Sequence, residues 1–326
     1  MKKIDVSIIK DNEPQSTLLY GEESNKKYKY TIIMPTYKRG EKFFQALNSA
    51  LNQTYDNYEI VIVDNDTDFD NQYIKDKLLE TKPLNVRYYK NNENLGAEGN
   101  FNRGLILSRG EYITWLHDDD WLETNFLTQM NKKVKGNRAV YCSHSINGKK
   151  NKSKKSIKKI FKIFYYINPY KNKLNIWDNF IGNKCVSAIG VIYNKQSIIN
   201  VGGFNKKFYP GTDYELNMRY IKKYGGVFIN KRLFNYGLGE NDSLTISKEF
   251  ARFNFYLRNQ MLKNNYVKNN KFNNNVISWL FENDVKEVLN TWKNESLMPE
   301  QKVIELSKFQ KHFIKYYIKI YKFLKF

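Results

Sequence analysis

Two short apolar runs in this chain stop abruptly on carboxylates, and that leaves few folds open. Tyr58-Glu59-Ile60-Val61-Ile62-Val63 ends in Asp64-Asn65-Asp66-Thr67-Asp68, and Tyr112-Ile113-Thr114-Trp115-Leu116 ends in His117-Asp118-Asp119-Asp120. Runs of this length, rich in β-branched and aromatic residues, read as strands. A near-continuous apolar run marks a strand buried on both faces of a parallel sheet. Adjacent Asp side chains repel one another and gain nothing from a core. At the carboxyl ends of parallel strands they lie on the edge where α/β sheets place ligands. The expected neutraliser is a divalent cation with hard oxygen ligands, Mn2+ or Mg2+, which commonly carries phosphates. The other reading of the triplet is a turn whose Asp caps the next helix, and it suits Asp120 best.

The rest of the first half supports an α/β sheet. Residues 30–34 read as a strand that ends in Pro35-Thr36-Tyr37. Residues 41–53 carry a helical apolar pattern, 74–79 suggest another helix, 86–89 another strand, and 96–107 a Gly-containing loop entering a helix. Strand and helix alternate, which implies parallel pairing through right-handed crossovers. The P-loop spacing is absent, and Gly96-Ala97-Glu98-Gly99 does not match the dinucleotide fingerprint.

In the second half, residues 191–193 and 226–229 read as strands. Thr212-Asp213 is placed to cap a helix that presents Leu216, Tyr220 and Tyr224. Residues 1–27 are polar and read as a loose arm. The chain looks helical from residue 247. Its last segment aligns Leu306, Phe309, Phe313, Tyr317, Ile320 and Leu324 in one stripe, with Lys308, Lys311, Lys315, Lys319 and Lys322 beside it; the stripe either packs on a core with a wet lysine face, which its aromatics favour, or lies on an anionic membrane surface.

Net charge is +21 over 326 residues, which implies an anionic partner: nucleic acid, an anionic membrane surface or a phosphorylated substrate. Eight lysines fall between Lys149 and Lys162, with Ile157, Ile160, Phe161 and Phe164 at helical spacing, so this stretch is either a basic amphipathic helix or a solvated loop. The aromatics are not interleaved with Lys on an RNA-binding motif, and nucleic acid is not the expected partner. Cys142 and Cys185 form no CxxC, which fits a reducing compartment. The histidines at 117, 144 and 312 are too scattered to suggest a His-based metal site. No apolar run reaches the ~18 residues needed to span a bilayer.

An ordered set of short motifs resembles the family 2 inverting glycosyltransferases of the GT-A fold, over roughly residues 30–245. The set comprises Ile33-Met34-Pro35-Thr36-Tyr37, Ala50-Leu51-Asn52-Gln53-Thr54-Tyr55, Ile62-Val63-Asp64-Asn65, Asn94-Leu95-Gly96, Asn102-Arg103-Gly104, Gly110-Glu111-Tyr112-Ile113, the Asp triplet, Gly202-Gly203-Phe204 and Thr212-Asp213-Tyr214-Glu215-Leu216 with Arg219. The resemblance implies a glycosyltransferase domain over 28–245, with a nucleotide-sugar half at 28–145 and an acceptor half at 165–245, followed by a basic helical region at 246–326.

The resemblance also assigns roles. Pro35, Thr36, Tyr37, Asp64, Asn65, Asn94, Gly96, Asn102, Arg103 and Asp118 would serve the nucleotide sugar. Asp119, with Asp118, would hold Mn2+ or Mg2+, and Asp213 would be the catalytic base. His117 stands where many members have Asp, and Gly239 where many have His, so metal should bind weakly until the nucleotide arrives. The expected donor is a UDP-sugar and the expected acceptor a glycan or lipid-linked glycan. The expected setting is the cytoplasm, against the inner face of the membrane. A basic nucleic-acid-binding protein and a nucleotidyltransferase are the competing readings.

Overall fold

A computed structural model describes residues 16–40, 42–67, 72–146, 172–182, 188–237, 247–292 and 304–325. They fall in two compact units that interleave along the chain. The first comprises Met1–Lys152, Cys185–Lys206 and Ile229–Gly239; the second comprises Ser153–Lys184, Lys207–Phe228 and Glu240–Phe326. Part of the expected acceptor half thus clusters with the C-terminal helices rather than with the nucleotide half. The basic stretch at 149–164 and the loop around Gly239 lie outside the described residues.

The first unit is built on four parallel strands, β2 (Tyr28–Thr36), β3 (Tyr58–Asp64), β4 (Val86–Asn91) and β5 (Gly110–Trp115). Ile32, Ile33, Ile60, Val61, Ile62 and Ile113 are fully buried, as their unbroken apolar pattern requires. Helices α1 (Lys42–Leu51), α2 (Gln72–Thr81) and α3 (Gly96–Leu107) are the crossovers. Gly104 lets α3 settle onto the sheet, since a Cβ there would stand 2.2 Å from Ile33 Cγ2. Glu59 is the charge inside β3. It is buried and paired with both Arg87 and Arg109, so its desolvation is compensated.

The edge strand was not expected. Residues 16–20, read as part of a polar arm, form β1 (Ser16–Tyr20), antiparallel to β4. Its side chains are mostly half-buried, too weak an alternation to register in a sequence scan, and the pairing comes from the backbone of β4. Beyond β5 the unit adds β9 (Val191–Asn194), antiparallel to β5, and β7 (Ala139–Ile146), antiparallel to β9. Two-residue β6 (Trp121–Leu122) pairs with β10 (Gly226–Tyr236) through Leu122 and Phe234. Helices α4 (Phe126–Asn131) and α6 (Lys195–Val201) complete the unit.

The second unit is mainly helical: α5 (Ile176–Phe180), α7 (Thr212–Tyr224), α8 (Ser247–Lys263), α9 (Lys271–Trp292) and α10 (Lys308–Lys325). Short β8 (Lys173–Leu174) pairs with the first residues of β10. The core unites Phe180, Tyr214, Met218, Leu257, Met261, Val276 and Leu280 with Leu306, Ile314 and Ile318. The stripe expected to pack inward from α10 does not. Leu306 is buried, but Phe309, Phe313, Tyr317 and Ile320 are exposed, and the helix buries Ile314 and Ile318 instead. The aromatic stripe and the buried stripe are both apolar, so periodicity alone could not tell which one faces the core. Among the described residues no helix is long and apolar enough to cross a membrane.

Candidate active site

Parallel pairing brings the ends of β2, β3 and β5 to one edge of the first unit. Thr36 stands beside Asp64 in register, and Leu116 N–H continues the β2–β5 ladder by donating to Ile33 O at 2.9 Å. Pro35 is buried at the end of β2, and Tyr37 beyond it is exposed.

At the end of β3 the polar groups are turned inward. Asp64 is fully buried and accepts from Tyr88 Oη at 2.8 Å and from Asp66 N–H at 2.9 Å. Asn65 uses its whole amide. Its Oδ1 accepts from Asn91 Nδ2 and Leu95 N–H, and its Nδ2 donates to Asn94 Oδ1 and Gly96 O. Asn94 Oδ1 also accepts from Gly96 N–H, and Gly96 takes φ +70°, so this network sets the entry of α3. Asn102, on α3, both donates to and accepts from the Phe204 backbone at 2.8 Å, which pins the Gly202-Gly203-Phe204 turn. Arg103 donates to Ser16 Oγ, bracing the edge strand. Asn65, Asn102 and Arg103, expected at the nucleotide, therefore have their side chains engaged within the protein.

The end of β5 differs. Asp118 accepts from Thr36 Oγ1 and from Arg39 Nε, each at 3.0 Å. Arg39 also approaches Asp119 at 3.7 Å. Burial pushes the Asp118 carboxyl up to about 6, against the opposing pull of Arg39. Asp120, 1% exposed, accepts from Gly237 N–H through Oδ1. Burial raises it further, to about 8, with the Gly237 bond opposing and the charge of Asp119 adding to the rise. His117 stacks on Phe101 with ring centroids 5.5 Å apart, and its Nδ1 stands 3.7 Å from Asp120 Oδ2. Burial lowers its pKa, which favours the neutral imidazole.

Two buried polar atoms at this turn, His117 Nε2 and Asp120 Oδ2, have no hydrogen-bond partner among the described residues. His117, Asp119 and Asp120 each offer a ligand atom within 4.8 Å of the other two. One neutral nitrogen and two carboxylate oxygens fit a divalent ion of the Mn2+ class. The expected pair was Asp119 with Asp118; the converging set keeps Asp119, while Asp118 is held by Thr36 and Arg39. The histidines are indeed dispersed along the chain, yet one of them suffices, because the tight β5–β6 turn sets His117 against Asp120 at i,i+3. Gly237 closes the turn from β10: a Cβ there would stand 2.1 Å from Asp119 O. Arg39, Phe101 and Gly237 went unnoticed in the sequence. Arg39 alone gave a signal, as a cation directly after a strand-end Pro-Thr-Tyr.

In the second unit, Asp213 sits in the first turn of α7. The N-cap is Gly211, with no side-chain cap bond, so Asp213 is not the cap that its position suggested. Its Oδ1 accepts from Tyr214 N–H at 2.7 Å, and burial pushes its carboxyl up to about 7. Tyr214 donates to Asn179 O, and Glu215 pairs bidentately with Arg219 at 2.6 and 2.7 Å, so the residues around Asp213 are fixed.

The chain matches known proteins consistently. The profile described as "Glycosyl transferase family 2" matches residues 31–192. The GalNAc(5)-diNAcBac-PP-undecaprenol beta-1,3-glucosyltransferase of Campylobacter jejuni is 27% identical over 231 residues, which is 70% of this chain and 71% of that one. The UDP-Glc:alpha-D-GlcNAc-diphosphoundecaprenol beta-1,3-glucosyltransferase WfgD of Escherichia coli is 29% identical over 130 residues, 37% of this chain and 50% of that one. Among solved structures, the mannosyltransferase PcManGT of Pyrobaculum calidifontis, in complex with GDP-Man and Mn2+, aligns with TM-score 0.54 and 13% identity, covering 95% of this chain and 84% of that one.

Fold and sequence together define a glycosyltransferase of the GT-A class. Within that class, residues 31–192 form a glycosyltransferase family 2 domain that begins at β2 and ends in β9. This sets aside the nucleic-acid-binding and nucleotidyltransferase readings. Asp213 lies beyond the matched segment.

Proposed function

We propose that the protein is a metal-dependent inverting transferase that moves a sugar from a UDP-sugar to a lipid-linked glycan during assembly of a surface polysaccharide. The observation that carries this reading is the β5 end, where polar atoms converge and two buried ones have no hydrogen-bond partner among the described residues. The lipid-linked acceptor is supported by the two relatives whose names specify undecaprenyl diphosphate-linked acceptors, and the UDP donor by the name of the Escherichia coli relative. Such acceptors are held at a membrane, which suits a chain of net charge +21.

The residues divide the work. His117, Asp119 and Asp120 would hold a divalent cation, which offsets negative charge on a diphosphate leaving group. Asp118, fixed by Thr36 and Arg39, presents a carboxylate toward the ribose. Arg39 supplies a movable positive charge beside the same diphosphate. Asp213 takes the proton of the acceptor hydroxyl, and a single in-line displacement inverts the anomeric carbon. A base with a pKa near 7 is poised for proton transfer at neutral pH.

The sign of the pH dependence follows from that shift. Below about 7 the folded-state Asp213 is protonated, so the acid limb of the kcat profile should fall near pH 7. Its contribution to stability runs the other way. It is fully present below the ordinary carboxylate range and is lost as pH rises through the folded-state value. Asp213→Asn should cut transfer about 10²- to 10⁴-fold and abolish the acid limb, while donor-induced thermal stabilisation persists. Wild-type turnover in that variant would remove Asp213 from the mechanism, and release of product with retained anomeric configuration would remove the single-displacement chemistry.

A further inference from the structure

Helix α10 has three distinct faces. Ile314 and Ile318, one turn apart, are buried in the second unit's core. Phe309, Phe313, Tyr316 and Ile320 recur at i, i+4, i+7 and i+11 and form a second apolar stripe that lies mostly outside the core: Phe309 is 79% exposed and Ile320 52%, and Phe313 meets Phe272 edge-on at 6.3 Å. Tyr317 flanks it and meets Phe272 edge-on at 5.1 Å. Lys308, Lys311, Lys315, Lys319 and Lys322 recur at i, i+3, i+7, i+11 and i+14 as a third stripe. Lys308, Lys315 and Lys319 are exposed, whereas Lys311 pairs with Glu282 at 2.7 Å and Lys322 is half-buried. From Lys308 to Lys325 the helix contains no Asp or Glu.

A large exposed apolar stripe is unusual on a soluble surface and marks an interaction site. The exposed Lys308, Lys315 and Lys319 beside it select a partner with dense negative charge above an apolar layer, which is the composition of an anionic bilayer surface. A protein partner would have to match both stripes with its own acidic and apolar rows; a bilayer does so without register. Tyr316 and Tyr317 lie at the edge of the stripe, where an amphipathic ring places its hydroxyl among head groups. We propose that α10 is an interfacial membrane anchor: Phe309, Phe313, Tyr316 and Ile320 enter the head-group region of an anionic bilayer, while Lys308, Lys315 and Lys319 contact the lipid phosphates. This gives the proposed membrane-bound acceptor a docking element, but it rests on the surface of α10 alone.

The test uses the full chain and two sets of vesicles, phosphatidylcholine alone and phosphatidylcholine mixed with phosphatidylglycerol. Sedimentation should show binding to the mixed vesicles at least about tenfold tighter than to the neutral ones, weakening as salt is raised. A variant carrying F309S, F313S and I320S should lose at least about tenfold in vesicle affinity while its unfolding midpoint stays within a few degrees of wild type, because the stripe lies outside the buried core and touches it through Phe313 on Phe272. A second variant, F313W, reports without removing the stripe: its emission should shift to the blue with mixed vesicles only. Equal binding to both vesicle types, wild-type binding by the triple-Ser variant, or no shift from F313W overturns the proposal. So does a concentration-dependent dimer that the triple-Ser variant abolishes, since a second copy would then cover the stripe. Donor hydrolysis without vesicles is measured in parallel, which separates loss of anchoring from failure of the transferase reading.

Discussion

The ends of β3 and β5 look alike in sequence and differ in structure. Each is an apolar run that stops on a cluster of polar and acidic residues, and each reaches the same edge of one sheet. At β3 the side chains of Asp64 and Asn65 bond within the protein, to Tyr88, Asp66, Asn91, Asn94, Leu95 and Gly96. At β5 the turn buries His117 Nε2 and Asp120 Oδ2 without hydrogen-bond partners among the described residues. A buried polar group costs free energy unless it is paired, so unpaired ones persist where a ligand supplies the missing bond. The comparison separates scaffold from proposed site: β3 holds the loop that enters α3, and β5 carries the residues proposed to hold a cation.

The largest effect should come from the β5 end. Asp119→Ala removes the one carboxylate shared by the sequence-based expectation and the converging set. Transfer should fall about 10³-fold or more, the scale on which loss of leaving-group charge stabilisation is felt. The unfolding midpoint without metal should stay close to wild type, because among the described residues Asp119 forms no buried bond to the scaffold beyond its long contact with Arg39. The Mn2+-dependent rise in the midpoint should disappear. If Asp119→Ala kept full activity and full Mn2+ stabilisation, the β5 end would be another piece of scaffold and the contrast with β3 would collapse.

The β3 end should respond in the opposite sense. Asn65→Ala strips partners from Asn91 and from the Leu95 N–H in a buried network. Leaving such groups unsatisfied costs about 1–3 kcal/mol each, less where water enters. The midpoint should drop by several degrees, while Mn2+ still stabilises the variant by about the wild-type increment. A variant as stable as wild type but unable to bind nucleotide would reverse the assignment and return Asn65 to the base-binding role that its place in the family pattern implies.

Much of the frame was legible because it rests on patterns that repeat. The apolar runs of β2, β3 and β5 and the crossover helices follow from periodicity, and the ordered motifs led to the GT-A fold and family 2. What was not legible depends on choices between equivalent patterns. The helix α10 carries two apolar stripes, and it is the tertiary core containing Leu257, Val276 and Leu280 that takes in Ile314 and Ile318. Likewise, Asp118, Asp119 and Asp120 are identical in composition and differ only in where one tight turn sends them. Thr36 and Arg39 take the first, and Gly237, more than a hundred residues away, fixes the last.

Arg39 offers the smallest effect and the finest test of the comparison. Its guanidinium bonds Asp118 at 3.0 Å and lies 3.7 Å from Asp119, and it is about a third exposed at 30%. A part-exposed pair contributes only about 0.2–1 kcal/mol, so Arg39→Gln should lower the midpoint by no more than a degree or two. Its effect on metal binding should be larger and of opposite sign. Arg39 neutralises the carboxylates beside the converging set, so a cation arriving there meets a field already partly cancelled. Removing the positive charge should tighten Mn2+ binding to the free protein a few-fold by calorimetry, most visibly at low salt, where the Debye length is long. Tighter metal binding would identify Arg39 as a stand-in charge that yields when metal arrives with the nucleotide. Weaker binding would instead mean that Arg39 sets the geometry of Asp119, and the β5 end would then resemble β3 in needing its internal bonds to work.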